Sequence, residues 1–158
     1  MRVFKGQGRW AMMAIALLSV TIMMGCAPTF KYSYEAKTRF PELKSYTWAP
    51  STSTSSNQSA RLFESNVQFY SDQLLAQKGF KKVPENADLT IKMGYDSTYR
   101  SSYELQALNL FIYKTGNSEL VWQGTALGTI DTDAASGNLK QVVEGILANF
   151  PPKEPKEK

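Results

Sequence analysis

The sequence predicts a two-layer α+β sandwich, a mainly antiparallel sheet covered on one face by two helices in the order β-β-α-β-β-β-α. Three observations predict it. Runs of alternating or continuous apolar residues recur through the second half of the chain, and two of them flank the short turn Thr115-Gly116-Asn117-Ser118. Two other stretches, after Ala60 and after Asn138, repeat their apolar residues every three or four positions. Each of those helices carries one apolar stripe, so a single sheet face suffices to cover both.

Phe30-Lys31-Tyr32-Ser33-Tyr34 alternates large and polar side chains and reads as the first strand. Phe40-Pro41-Glu42-Leu43 reads as a turn, and Ser45-Tyr46-Thr47-Trp48 as a second strand stopped by Pro50. Residues 51–59 are a Ser/Thr/Asn/Gln run with nothing to bury, which predicts a mobile loop. From Ala60 the period changes: Phe63, Val67, Tyr70 and Leu74, with Leu62 and Leu75 beside them, predict a helix stopped at Gly79. Phe80 to Val83 is a short strand or extended link. Leu89, Ile91, Met93 and Tyr95 then share one face of a strand, with Thr90, Lys92 and Gly94 on the other. Residues 96–103 read as a polar connection or frayed strand end, and Leu105 to Tyr113 as a central strand apolar on both faces. In the turn that follows, Gly116 and Asn117 both tolerate positive φ. The returning strand runs from Leu120 towards Ile130, its Gly124, Ala126 and Gly128 allowing a close neighbour or a bulge. Asn138 and Gln141 form a capping pair for the closing helix. Leu139, Val142, Val143, Ile146, Leu147 and Phe150 make its apolar face, and Pro151-Pro152 ends it.

The start of the chain carries a different signal. Arg2, Lys5 and Arg9 precede an almost wholly apolar run from Trp10 to Met24, closed by Gly25-Cys26. A charged start, a short apolar core and a small residue at the cut form an export signal, and fifteen residues is short of the roughly 20 that a span needs. The segment resembles the lipobox of bacterial lipoproteins at Gly25 and Cys26, with Met23 and Met24 where Leu and a small residue are usual. That resemblance implies acylation of the Cys26 thiol and loss of residues 1–25. Ala27, rather than Asp, after the cysteine implies the outer membrane of a Gram-negative envelope, with the domain facing the periplasm. The resulting organisation is a signal (1–25), a lipidated tether (26–29), one domain (30–150) and a disordered tail (151–158).

Charge and composition then exclude several function classes. The signal holds three of the 18 basic residues and none of the 14 acidic ones, which leaves 15 against 14, a net of +1. No dense basic patch remains to support nucleic-acid binding. With no histidine and one thiol, the chain lacks the parts for Ser-His or Cys-His nucleophiles and His/Cys zinc sites. No phosphate-binding glycine loop is present, so no metal or cofactor is expected. Two acidic pairs, Asp96 with Glu104 and Asp131 with Asp133, are weighed for carboxylate or Ca²⁺ chemistry, and the second reads more simply as an acidic loop before a helix. The candidate binding surface is Tyr95, Tyr99, Arg100 and Tyr103, since a continued strand puts the three tyrosines on one face. Leu89, Ile91 and Met93 share that parity, so the same face is equally a core face against a helix.

Several segments together resemble a bacterial lipoprotein family known as domain of unknown function 4136. They are Phe40 to Trp48 with its Lys44-Ser45-Tyr46-Thr47-Trp48 ending, Gly79-Phe80, Ala87-Asp88-Leu89, Val121-Trp122-Gln123-Gly124 and Ile146 to Pro152. Members often carry aspartates at the first strand, where this chain has Tyr34-Glu35, so no role tied to those acids carries over. The resemblance implies an envelope lipoprotein with a small α/β domain and supplies no activity. The expectation is a non-enzymatic protein held at the membrane through Cys26, with a structural or protein-interaction role and an envelope protein as partner. The alternative is a binder or carrier of an apolar or glycan ligand between sheet and helices.

Overall fold

The computed structural model describes residues 27–50, 58–96, 104–133 and 136–153. The elements are β1 (Thr29–Tyr34), a 3₁₀ turn (Phe40–Glu42), β2 (Ser45–Trp48), α1 (Gln58–Gln77), β3 (Lys81–Lys82), β4 (Leu89–Asp96), β5 (Glu104–Lys114), β6 (Glu119–Asp131) and α2 (Asn138–Leu147). The strands form one sheet in the order β1-β6-β5-β4-β2-β3. An α+β sandwich with two helices on one sheet is therefore what the sequence builds.

The sheet itself is mixed rather than mainly antiparallel. β4, β5, β6 and β1 pair antiparallel, but β2 runs parallel to both β3 and β4. The cause is the β2-α1-β3 crossover: a strand that leaves through a helix and returns beside itself comes back in the same direction. Residues 83–88 then carry the chain from one flank of β2 to the other, because Tyr46 lies between Lys82 and Leu89 in the register.

Register assigns the two faces. Leu89, Ile91, Met93 and Tyr95 stand beside Leu108, Leu110 and Ile112, which stand beside Trp122, Gly124 and Ala126. This is the helix side. α1 lays Ala60, Phe63, Val67, Ser71 and Leu75 on the core, and α2 lays Leu139, Val142, Val143, Ile146 and Leu147. Among the described residues no helix covers the opposite face. There the Lys92 ammonium sits 4.8 Å above the Tyr113 ring, and the Thr125 hydroxyl donates to Asn109 Oδ1 at 2.7 Å.

Several local expectations change. α1 begins at Gln58, so the last two residues of the expected loop are helical; a first helical turn needs no buried side chain, and polarity alone does not mark it as loop. Its far end behaves as expected. Gly79 takes φ 86, and the Phe80 and Gly79 amides donate to Leu75 O and Ala76 O, the paired closure of a helix end. In the β5–β6 hairpin the positive φ belongs to Ser118 (φ 55), not to Gly116 or Asn117. Lys114 pairs with Glu119, so the loop has four residues, and its left-handed position falls at the last one.

The α2 capping pair also fails. The residue before α2 is Gly137 at φ 67, and Asn138 Oδ1 instead accepts from the Asp131 amide at 3.0 Å. α2 ends at Leu147, before Phe150. Phe150 is nevertheless buried, its ring centroid 5.2 Å from those of Trp122 and Phe80 and 6.0 Å from Phe40.

β6 carries two irregularities. Ile112 pairs with Trp122 and Tyr113 with Leu120, so the extra residue Val121 lets two neighbours in one strand, Val121 and Trp122, both be buried. The second lies between Leu127 and Ile130, where Gly128 has φ 122. Gly124 serves close approach instead: a Cβ there would run into the Trp122 ring and Ile146.

Candidate functional site

The residues that carry the family-like motifs converge on two carboxylates that composition had not singled out. The first is Asp88, at the entry to β4. Its Oδ2 accepts from the Lys44 amide at 2.9 Å, the Ser45 amide at 2.9 Å and the Ser45 hydroxyl at 2.7 Å. In return the Asp88 amide donates to Ser45 Oγ at 3.0 Å. The Lys44 amide foremost, with Ser45, holds the Asp88 carboxyl below the usual carboxylate range. The arrangement fastens the start of β2 to the start of β4.

The second is Asp72, on the last turns of α1. Its Oδ1 accepts from the Tyr46 hydroxyl and from Trp48 Nε1, each at 2.8 Å, and its Oδ2 meets the Lys82 ammonium at 2.8 Å. Tyr46 and Trp48 share parity in β2, and the register sets Lys82 beside Tyr46, so strand geometry aims all three at the helix. Burial, then the Asp72 hydrogen bond and charge, push the Tyr46 phenol well above the ordinary tyrosine range. Chemically this is a locked acceptor. Its two oxygens are occupied by three donors, and the phenol is held protonated.

The tyrosine cluster is only partly placed. Tyr95 is half-buried on the helix side, its ring 5.0 Å from Phe63 at 78° and its hydroxyl donating to Glu64 at 2.8 Å. That is a core-face contact. Tyr99, Arg100 and Tyr103 lie outside the described residues, as does Cys26. Of the acidic pairs, Asp131 Oδ1 accepts from the Asp133 amide at 2.8 Å, a local turn, while Glu104 stands opposite Asp131 and Asp96 opposite Ala107. Among the described residues no three metal-ligating side chains gather, and no helix is long and apolar enough to cross a membrane.

A cleft of about 400 Å³ lies between the β1–β2 connection and the β5–β6 hairpin. Glu35, Lys37, Arg39, Glu42, Lys114 and Glu119 line it, with Thr38 and Leu43. The Glu35 amide is fixed to Val121 O at 3.0 Å, and Arg39 pairs with Glu42 at 3.2 Å in full view of solvent. Three cations and three carboxylates offer donors and acceptors to a polar molecule. Sequence reading missed this cleft because its residues come from segments about 75 positions apart that only the β1–β6 pairing brings together.

The profile of the family described as Domain of unknown function (DUF4136) matches residues 30–152. No curated protein matches the chain. Among solved structures, a DUF4136 family protein from Bacteroides thetaiotaomicron is similar at TM-score 0.52 and 13% identity, over 80% of this chain and 95% of the other. A PelC dodecamer from Paraburkholderia phytofirmans is similar at TM-score 0.54 and 14% identity, over 82% and 99%. A PDZ domain protein from Parabacteroides distasonis is similar at TM-score 0.57 and 11% identity, over 81% of this chain and 36% of that one. The chain thus spans about a third of the length of that protein. At such identities the likeness is one of fold.

Proposed function

This chain belongs to the DUF4136 family, and from that premise we propose that it is a lipid-anchored envelope protein that acts by holding and docking rather than by catalysis. The observation that carries the reading is the use made of the motif residues. Ser45, Tyr46, Trp48, Asp88, Trp122 and Phe150 are spent on fastening strands to one another and to α1, or on the aromatic core. Groups consumed in this way maintain a scaffold. The anchor is the Cys26 thiol after an export signal, and the location is the outer membrane, periplasmic side.

The test is the intact mass of protein extracted from membranes, beside Cys26→Ala. The expected mass is that of the chain from Cys26 plus acyl groups, lost in the variant. An unmodified mass overturns the anchor. Docking is tested by pull-down from gently solubilised membranes, and the absence of any reproducible partner counts against it. A solved structure of similar fold is a dodecamer, which makes a second copy of this chain one partner to look for.

The cleft supports a second reading, a binder of a polar ligand. Its charged lining suits a hydroxyl-rich glycan better than an apolar molecule, whose burial would strip water from those charges. Native mass spectrometry showing no bound or titratable glycan would remove it.

A further inference from the structure

We propose that the edge of the sheet formed by β1 is the domain's seat on the lipid surface, with Phe30 and Tyr32 at the headgroup layer. The inference rests on the acyl-anchor reading above. Thr29 is three residue steps from Cys26, with Ala27 and Pro28 between, and a chain spans at most about 3.5 Å per residue, so the start of β1 stays within roughly 10 Å of the acylated residue. The headgroup layer is itself several ångströms deep. The beginning of β1 therefore cannot leave the surface.

What stands there suits a membrane boundary. All six residues of β1 are exposed. Phe30 is 41% and Tyr32 50% accessible, large values for residues on the helix side of a sheet. Phe30 sets the far end of its ring, Cζ with Cε1 and Cε2, against Gly145 of α2, where even a Cβ would collide with it, and stays partly open to solvent along the sheet edge. Leu127, opposite Thr29 in the register, adds a further exposed apolar side chain at this end. Aromatic rings, tyrosine above all with its polar tip, settle at the level of lipid headgroups, and Lys31, between them in the strand and on its other face, supplies a cation at the same edge for anionic headgroups. The opposite edge differs. β3 has two residues, both exposed lysines, and nothing apolar to seat.

The experiment uses the full-length protein, its acyl mass confirmed, in vesicles of phosphatidylethanolamine and phosphatidylglycerol with or without bromine on the acyl chains. Phe30→Trp and Tyr32→Trp place an indole in the seat. Leu62→Trp places one on α1 at a position that is 61% accessible. Trp48 and Trp122 give the background in unsubstituted protein. Both seat variants are expected to lose roughly twofold more added fluorescence to the brominated lipid than Leu62→Trp does, since quenching needs near contact with the acyl region. Because Phe30→Trp enlarges a ring already against Gly145, Tyr32→Trp decides alone where the first variant misfolds. An acylated, vesicle-bound protein quenched no more than the Leu62→Trp control overturns the seat and leaves the anchor standing. A blue-shifted indole insensitive to bromine also overturns it, since the face is then covered by protein, a second copy included. Absence of acyl mass overturns anchor and seat together.

Discussion

Asp88 shows how much a single carboxylate decides. It takes three donors from the start of β2 and gives one back to Ser45, so Asp88→Asn removes the charge and disturbs four hydrogen bonds at once. The expected loss is on the order of 1 kcal/mol, as for a capping carboxylate, measured by urea unfolding at neutral pH. Since the folded-state pKa is depressed, this contribution is present above the unfolded value near 4 and fades as pH falls through the lower folded value. The gap between the natural protein and Asp88→Asn should therefore begin to narrow at about pH 4 and keep closing as the pH falls further. A gap constant across that window would mean the charge is not what matters. Glycines separate just as sharply. Gly124→Ala drives a methyl into Trp122 and Ile146 and is expected to cost about 1–3 kcal/mol, whereas Gly116→Ala meets open space and should change stability by less than about 0.5 kcal/mol. Parallel denaturation of the two variants checks both.

At the scale of elements, Asp72 is the fastening between α1 and the parallel side of the sheet. β3 has two residues and β2 four, too few to hold a helix by backbone pairing. Asp72→Ala leaves the buried Tyr46 hydroxyl and the Trp48 indole without their acceptor, and the expected destabilisation is about 2 kcal/mol, discounted because the carboxylate itself is 29% accessible. Hydrogen exchange should show the loss concentrated in β2, β3 and α1. Uniform deprotection through β4, β5 and β6 would place the effect elsewhere. The antiparallel side is held differently, by long strands and by Phe150, which lies beyond its helix and closes over Trp122, Phe80 and Phe40.

For the whole molecule, periodicity made most elements legible. The stripe of α1, the alternation of β4 and the apolar face of α2 each report burial against a single layer, which is what a hydrophobic pattern encodes. The parallel pairing of β2 was not legible, because direction depends on which strands become neighbours and not on any strand's own residues. The same limit hid the two carboxylate latches. Asp72 and Asp88 look like ordinary surface acids until β2 is laid beside β4 and beneath α1. A usable signal did exist: Tyr46 and Trp48 share parity, each with a polar tip that burial obliges to find an acceptor. Tyr95 illustrates the opposite outcome, a residue read as a surface candidate whose parity with Leu89 and Ile91 already placed it against a helix.

The pairing of β1 with β6 also sets the order in which the molecule can be completed. Every β1 residue finds its partner between 88 and 98 positions downstream, and none nearer. A chain made from its amino end thus carries its opening strand unmatched until β6 has appeared, and Phe40 waits longer still for Phe150. The β5–β6 hairpin completes by local pairing as soon as β6 appears, and only then does β1 gain its neighbour from the far end of the sequence. The topology acts as a timer: the opening strand stays unmatched while the chain is being made, and the domain closes only once its last third is present.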